Sequence, residues 1–387
     1  MKHLFKTVLG ATFVMSLMAS CDSAETLVSK GNEALAQGDS LKAAEYFSKA
    51  AEKQNAEAMR NLAQLYLKGK GADASAEKAV EMLTSADQLG DSIAPYLLGE
   101  CYEAGNGVKA DDRKAFELYE KSDKAGYPQA SVKLTDYYFR GRKNIEPDWG
   151  KAYLSSVKAS ASGDAEGLAV NGLFTGLGIY GPKQDKEAAN KMLQQAIDKG
   201  SALAKALMAY YIMSCDWDRV SETPALADAA VAAGEPFGYF VKGLGFEHGY
   251  PRGSFATAVK YYKEASEKGC IPATYRRGMA LIDLMFRKDE GHEWVRKAAA
   301  QGDADGLNRL GYSYLNGFGE EKSSEKAFQT FIKAAEKCNP SALSNLGYCY
   351  ENGEGVKADK QKAIEYYEKA IKYGDQFYSQ ERLKKLK

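Results

Sequence analysis

One outline recurs along most of this chain about every 36 residues, and a fixed period of that length is the signature of a repeat array. A small or apolar anchor marks each copy: Ala63, Gly99, Thr135, Val170, Leu207, Gly243, Gly278, Gly311 and Gly347. Three positions after each anchor stands a ring or a leucine, from Tyr66 and Tyr102 through Leu173 and Phe246 to Tyr314 and Tyr350. Six positions after, glycine occurs at Gly69, Gly105, Gly141, Gly176, Gly249, Gly317 and Gly353.

The unit reads as two helices. In the last copy Ala342, Leu346, Gly347 and Tyr350 share one helical face, and the glycines at 353 and 355 end that helix where positive φ costs little. Ala363, Tyr366, Tyr367 and Ala370 mark a second face, closed by Gly374. Small residues let the two helices approach while the ring fills the space beside them. A single pair cannot bury its apolar face alone, so neighbours must stack. The expected fold is all-α, a right-handed α-solenoid (superhelix) of about ten antiparallel helix pairs with a C-terminal capping helix.

The segments LGECYEAGNGVKADDRKAFELYEKSDKAG (Leu98–Gly126) and LGYCYENGEGVKADKQKAIEYYEKAIKYG (Leu346–Gly374) closely resemble Sel-one-like repeats, relatives of the tetratricopeptide repeat. Nine such units span residues 56–374, and KGNEALAQGDSLKAAEYFSKAAEKQN within 26–55 resembles a tetratricopeptide pair. Residues 375–387 form the expected cap. After Leu207 the glycine loop is replaced by MSCDWDRVSETP, and after Gly278 it is shortened. The middle units are therefore expected to be the least regular.

Ahead of the array, Lys2 and Lys6 precede an apolar run from Thr7 to Met18, then Ala19-Ser20-Cys21. The run is too short to span a bilayer and is built like a secretory signal. Its end resembles a bacterial lipobox, which implies a leader at 1–20, acylation of Cys21 and a short linker at 21–25. The expected location is the bacterial cell envelope, with the chain lipid-anchored to a membrane.

Composition excludes several classes. The 52 basic and 52 acidic residues balance, whereas nucleic-acid binding needs a basic stripe. The histidines are His3, His248 and His292, and no clustered ligand set or H-E-x-x-H accompanies them, so neither metal nor cofactor is expected. Ser75–Lys78, Ser155–Lys158 and Ser323–Lys326 match S-x-x-K without its companion motifs, and read as solvated helix starts. The repeated G-x-G follows no strand and is a helix-end device rather than a phosphate loop. Beyond Cys21 five cysteines remain, an odd number that cannot all pair within one chain; a Cys338–Cys349 bridge is the one pairing considered. No catalytic set emerges, and the chain is not read as an enzyme.

What remains is a surface. On each first helix the positions at −6, −3, +1 and +4 from the anchor form a second stripe, which by resemblance to tetratricopeptide arrays lines the concave face. It is mixed early, as at Tyr96, Glu100 and Glu103, and late, as at Asp305, Asn308 and Tyr312. In the middle it turns apolar: Phe174, Met208, Tyr211, Phe237, Phe240, Leu244, Tyr275 and Met279. These eight are the candidate partner-binding groove. The resemblance implies a scaffold or adaptor that captures another protein or peptide; the alternative is a cell-wall or β-lactam-related ligand binder or hydrolase, an association of a cysteine-rich branch of the family. The competing expectation for Phe237, Phe240 and Tyr275 is that they pack against one another as extra core.

Overall fold

The computed structural model describes residues 22–71, 74–142, 144–250, 253–375 and 377–387. The leader and Cys21 lie outside the described residues. Among these residues there are 21 α-helices, one 3-10 helix and no strand, only an isolated bridge between Arg142 and Ile145.

The chain forms two compact units, one ending at Tyr127 and one beginning at Pro128. The first holds three helix pairs: α1 (Ala24–Ala36) with α2 (Ser40–Glu52), α3 (Ala56–Lys68) with α4 (Ala76–Gln88), and α5 (Ala94–Ala104) with α6 (Asp112–Lys124). The second holds seven: α7 (Pro128–Arg140) with α8 (Trp149–Ala161), α9 (Ala165–Leu177) with α10 (Lys186–Asp198), α11 (Ala202–Cys215) with α12 (Thr223–Ala232), α13 (Pro236–Glu247) with α14 (Phe255–Glu267), α15 (Ile271–Asp283) with α16 (Lys288–Ala300), α17 (Ala304–Asn316) with α18 (Ser324–Glu336), and α19 (Pro340–Asn352) with α20 (Lys360–Tyr373). The final helix, α21 (Tyr378–Leu386), packs on α19 and α20 as the expected cap.

The helices start where the sequence supplies a cap. Asp39, Asn55, Ser75, Asp111, Asp148, Asp185 and Asp359 each accept from the amide three residues on, satisfying one of the donors a helix start leaves unpaired. Inside each pair the anchor position is a seat for a ring. A Cβ on Gly99 would lie 2.7 Å from Tyr119, one on Gly311 would lie 2.6 Å from Phe331, and one on Gly347 would lie 2.6 Å from Tyr367. The absent methyl is therefore part of the packing between the two helices.

Between repeats, the second glycine of each loop docks on its neighbour. A Cβ on Gly107 would run into the Ala76 carbonyl at the start of α4, and one on Gly355 into the Ser324 carbonyl at the start of α18. A polar link also joins neighbouring pairs. Tyr262 donates to Glu247 at 2.5 Å, and Arg276 of the next pair donates to the same carboxylate at 3.1 Å. Tyr367 and Arg382 hold Glu351 in the same way, at 2.8 and 3.0 Å.

One detail differs from the sequence expectation, and another follows it. Gly176 does not end its helix; α9 runs on to Leu177 and is capped by Gly178 at φ 65°. The reason is packing, because a Cβ on Gly176 would meet the Tyr211 ring at 2.6 Å. After α11, a 3-10 turn at Trp217–Glu222 replaces the glycine loop, and α12 is short.

The second unit closes on itself. Lys337, after α18, donates to the Pro147 carbonyl at 2.8 Å and pairs with Glu146 at 2.9 Å, both in the α7–α8 loop. The Tyr180 amide, after α9, donates to the Tyr373 carbonyl at the end of α20 at 3.1 Å. Early and late repeats of this unit are thus in direct contact.

Candidate functional site

Closure changes what the inner face of the second unit offers. Of the eight groove candidates, Phe174, Met208, Tyr211, Phe237, Phe240 and Leu244 are buried, Phe237 and Phe240 being 3% and 5% exposed; Tyr275 and Met279 are partly buried. The open aromatic stripe expected of these rings is not there. Phe174, Phe237 and Phe240 pack into core instead: Phe139 stacks on Trp149 with centroids 5.4 Å apart, Phe174 meets Tyr180 at 5.3 Å, Phe139 meets Phe237 at 5.8 Å and Phe237 meets Phe240 at 5.0 Å. Trp149, at the start of α8, and Tyr180, just after α9, stand beside the closure contacts, and their rings fill space next to this core.

Beside this core lies a cavity of about 730 Å³. Its walls are the end of α7, the α7–α8 loop, the starts of α13 and α15, and the end of α16. Arg140 anchors it, gripping Glu235 through both terminal nitrogens at 2.8 and 2.9 Å while its Nε donates to Asp136 at 2.7 Å. Burial disfavours the Arg140 charge, but the Glu235 carboxylate more than offsets this and holds its pKa above the ordinary value. Glu235 in turn caps α13, accepting from the Phe237 amide at 3.0 Å. One buried carboxylate therefore sets both a helix start and the position of the cation.

The other lining groups make the cavity two-sided. Phe139, Ile145, Pro236, Phe237 and Pro272 give apolar walls, and Arg142 and Lys268 add positive charge. Gln301 also lines it, its Oε1 buried without a hydrogen-bond partner. Burial pushes the Cys270 thiol up to about 12, which disfavours its thiolate. Such a space suits reversible binding of a short segment carrying apolar and polar groups.

Elsewhere the motifs resolve into structure. Ser75 and Ser323 cap α4 and α18, accepting from the amides of Lys78 and Lys326 at 3.3 Å; Ser155 lies within α8. His292 is buried against the Gly319 loop, and burial followed by the Arg309 and Arg296 charges holds its pKa below the usual value. Among the described residues, no group of three or more His, Cys, Asp or Glu side chains could hold a metal. The five described cysteines are unpaired, Cys338 and Cys349 included: Cys349 is sealed in the α19 core while Cys338 lies beside Gly150. Sequence reasoning missed Arg140 and Glu235, which lie outside the repeat outline; the only local signal was Glu235-Pro236 as a helix start.

Comparison with known proteins places this architecture. The family model for the Sel1 repeat matches residues 29–55, 56–91, 92–127, 167–201, 242–270, 287–303, 304–337 and 340–375. The first of these takes in most of the pair that resembles a tetratricopeptide repeat. No curated protein matches the chain. Among solved structures, c5321, a protective antigen present in uropathogenic Escherichia coli strains and displaying an SLR fold, is similar at 23% identity, covering 94% of this chain and 79% of that one with a TM-score of 0.44. A Sel1 repeat protein from Oxalobacter formigenes is similar at 21% identity, covering 99% and 92% with a TM-score of 0.38. The human IFIT1 dimer with PPP-AAAA is similar at 15% identity, covering 93% and 92% with a TM-score of 0.40.

Proposed function

Because the chain belongs to the Sel1 repeat family, whose helical arrays commonly mediate protein–protein interaction, we propose that it is a non-enzymatic scaffold or adaptor of the bacterial cell envelope, lipid-anchored through Cys21. The observation that carries the interaction reading is the cavity of about 730 Å³ beside Arg140. It offers apolar walls and cations in one place, and among its lining residues no activated nucleophile. A peptide segment of another protein fits that description better than a reacting substrate.

The test is site-directed photocrosslinking in native envelopes. A benzoylphenylalanine at Asn144, exposed on the cavity loop, is expected to trap a discrete protein, and Arg142→Glu should weaken the capture. The same probe at Glu81, exposed on α4, serves as the control. Equal labelling from both sites would retire the cavity as the receiving surface. For the anchor, Cys21→Ser is expected to abolish palmitate labelling and release the chain from membranes; persistent labelling would exclude Cys21 as the acylated residue.

A further inference from the structure

The polar link between repeats has a vacant copy. Arg276 stands two residues before its anchor Gly278 and reaches Glu247, four residues after the preceding anchor Gly243, where Tyr262 also bonds. Arg309 stands two residues before Gly311, in the same register. The position matching Glu247 is Ile282, and the side chain seated on Gly278 in place of a tyrosine is Val295. Both acceptors are gone while the guanidinium remains. Arg309 has no hydrogen-bond or ion-pair partner among the described residues, and its Nε is buried. Arg277 also has buried nitrogens without partners, but the Trp294 ring lies 4.0 Å from its guanidinium and Glu290 stands 3.6 Å away, so its surroundings are already filled.

Beside Arg309 lies an apolar shelf open to solvent. The Arg309 guanidinium lies 5.5 Å from the Tyr312 ring, and Tyr312 lies 6.0 Å from Phe318. These two rings are 39% and 50% exposed. An arginine short of acceptors beside two exposed rings is the side-chain chemistry that dominates protein interfaces. What it lacks is a carboxylate, which the equivalent arginines at 276 and 382 both have from within the chain.

We infer that Arg309 receives an aspartate or glutamate side chain of a partner protein, with Tyr312 and Phe318 packing on the residues that flank that acid. This adds a second contact to the scaffold reading and rests on it only for there being a protein partner. The Nε itself is sealed, so the acid meets the guanidinium through its terminal nitrogens, where a charge-assisted bond is among the stronger single contacts.

The test uses the soluble chain from Asp22 onward, with arginine side chains followed by nuclear magnetic resonance. The probe is the peptide acetyl-Gly-Phe-Glu-Phe-Gly-amide, compared with its Glu→Gln counterpart and with sodium acetate. The Arg309 Nε–Hε signal, assigned by its loss in Arg309→Lys, is expected to shift saturably with the glutamate peptide. Affinity for the glutamine peptide should be weaker by about tenfold or more. Arg309→Gln should lose the preference for glutamate. Ile282→Glu should supply the missing acceptor from within, as Glu247 does for Arg276, and lower peptide affinity by a similar factor without lowering the melting temperature.

Equal binding of the two peptides, an equal response to acetate, or unchanged preference in Arg309→Gln would overturn the inference. Should Ile282→Glu fail to fold, the Arg309→Gln comparison decides alone. A partner trapped from Asn144 together with no response at Arg309 would remove this contact and leave the scaffold standing. A response at Arg309 with no partner trapped from Asn144 would keep this contact and retire the cavity as the receiving surface.

Discussion

A single methyl separates Gly347 from alanine, and Tyr367 leaves no room for it. Gly347→Ala is expected to destabilise by about 1–3 kcal/mol, the usual cost of forcing extra volume into a packed core, read as a lower denaturant midpoint with an unchanged slope. At Asp303 the relevant quantity is charge. Burial, and then the neighbouring Asp305, push its carboxyl up to about 8. An acid whose folded pKa lies above its unfolded value holds its proton more tightly when folded. Stability is therefore lost as pH rises from about 4, the unfolded value, to the folded one, and no further beyond it. Asp303 caps α17 through the Gly306 amide at 2.6 Å, a role asparagine fills equally well. Asp303→Asn should therefore flatten the loss, being more stable than wild type at pH 8 and little changed at pH 4 in thermal melts. The thiols yield a third expectation. Burial pushes Cys101 up to about 11 and Cys349 to about 12, so both should resist thiol reagents until the chain is denatured. The unreduced, denatured protein should then titrate all five of Cys101, Cys215, Cys270, Cys338 and Cys349.

Among the elements, α21 shows how an array ends. It supplies Arg382 to Glu351, Ser379 to Ser344 and Leu383 to the last core, filling the place a following first helix would take. Removing residues 376–387 should lower the melting temperature and promote association, because a solenoid needs a polar outer cap. The helix pairs and their seats were legible in the sequence, since spacing reports directly which side of a helix carries small residues and rings. The groove was not. Phe237 and Phe240 occupy the predicted stripe, but periodicity says which way a side chain leaves its helix and nothing about what stands opposite. Here the opposite wall comes from Phe139 and, through it, Trp149, brought in by contacts far apart along the chain. The irregular 3-10 turn at Trp217–Glu222 has no buried residues. Its amides should exchange with deuterium faster than those of the glycine-capped loops.

For the second unit as a whole, closure is the property that a list of repeats would not reveal. Lys337 and Pro147 are 190 positions apart, yet bonded. Lys337→Ala should raise hydrogen exchange in the Arg142–Pro147 loop, a response that an array coupled only to its nearest neighbours would not give. The Tyr180–Tyr373 bond has a mechanical consequence. An open stack under tension sheds its end repeat first, then the next, each at low force. In this unit a pull on Tyr373 is passed straight to Tyr180, several repeats back, and the intervening pairs are shielded until that link gives way. Stretched from its ends, the second unit should hold and then rupture in one large step rather than unzip as a staircase of small ones.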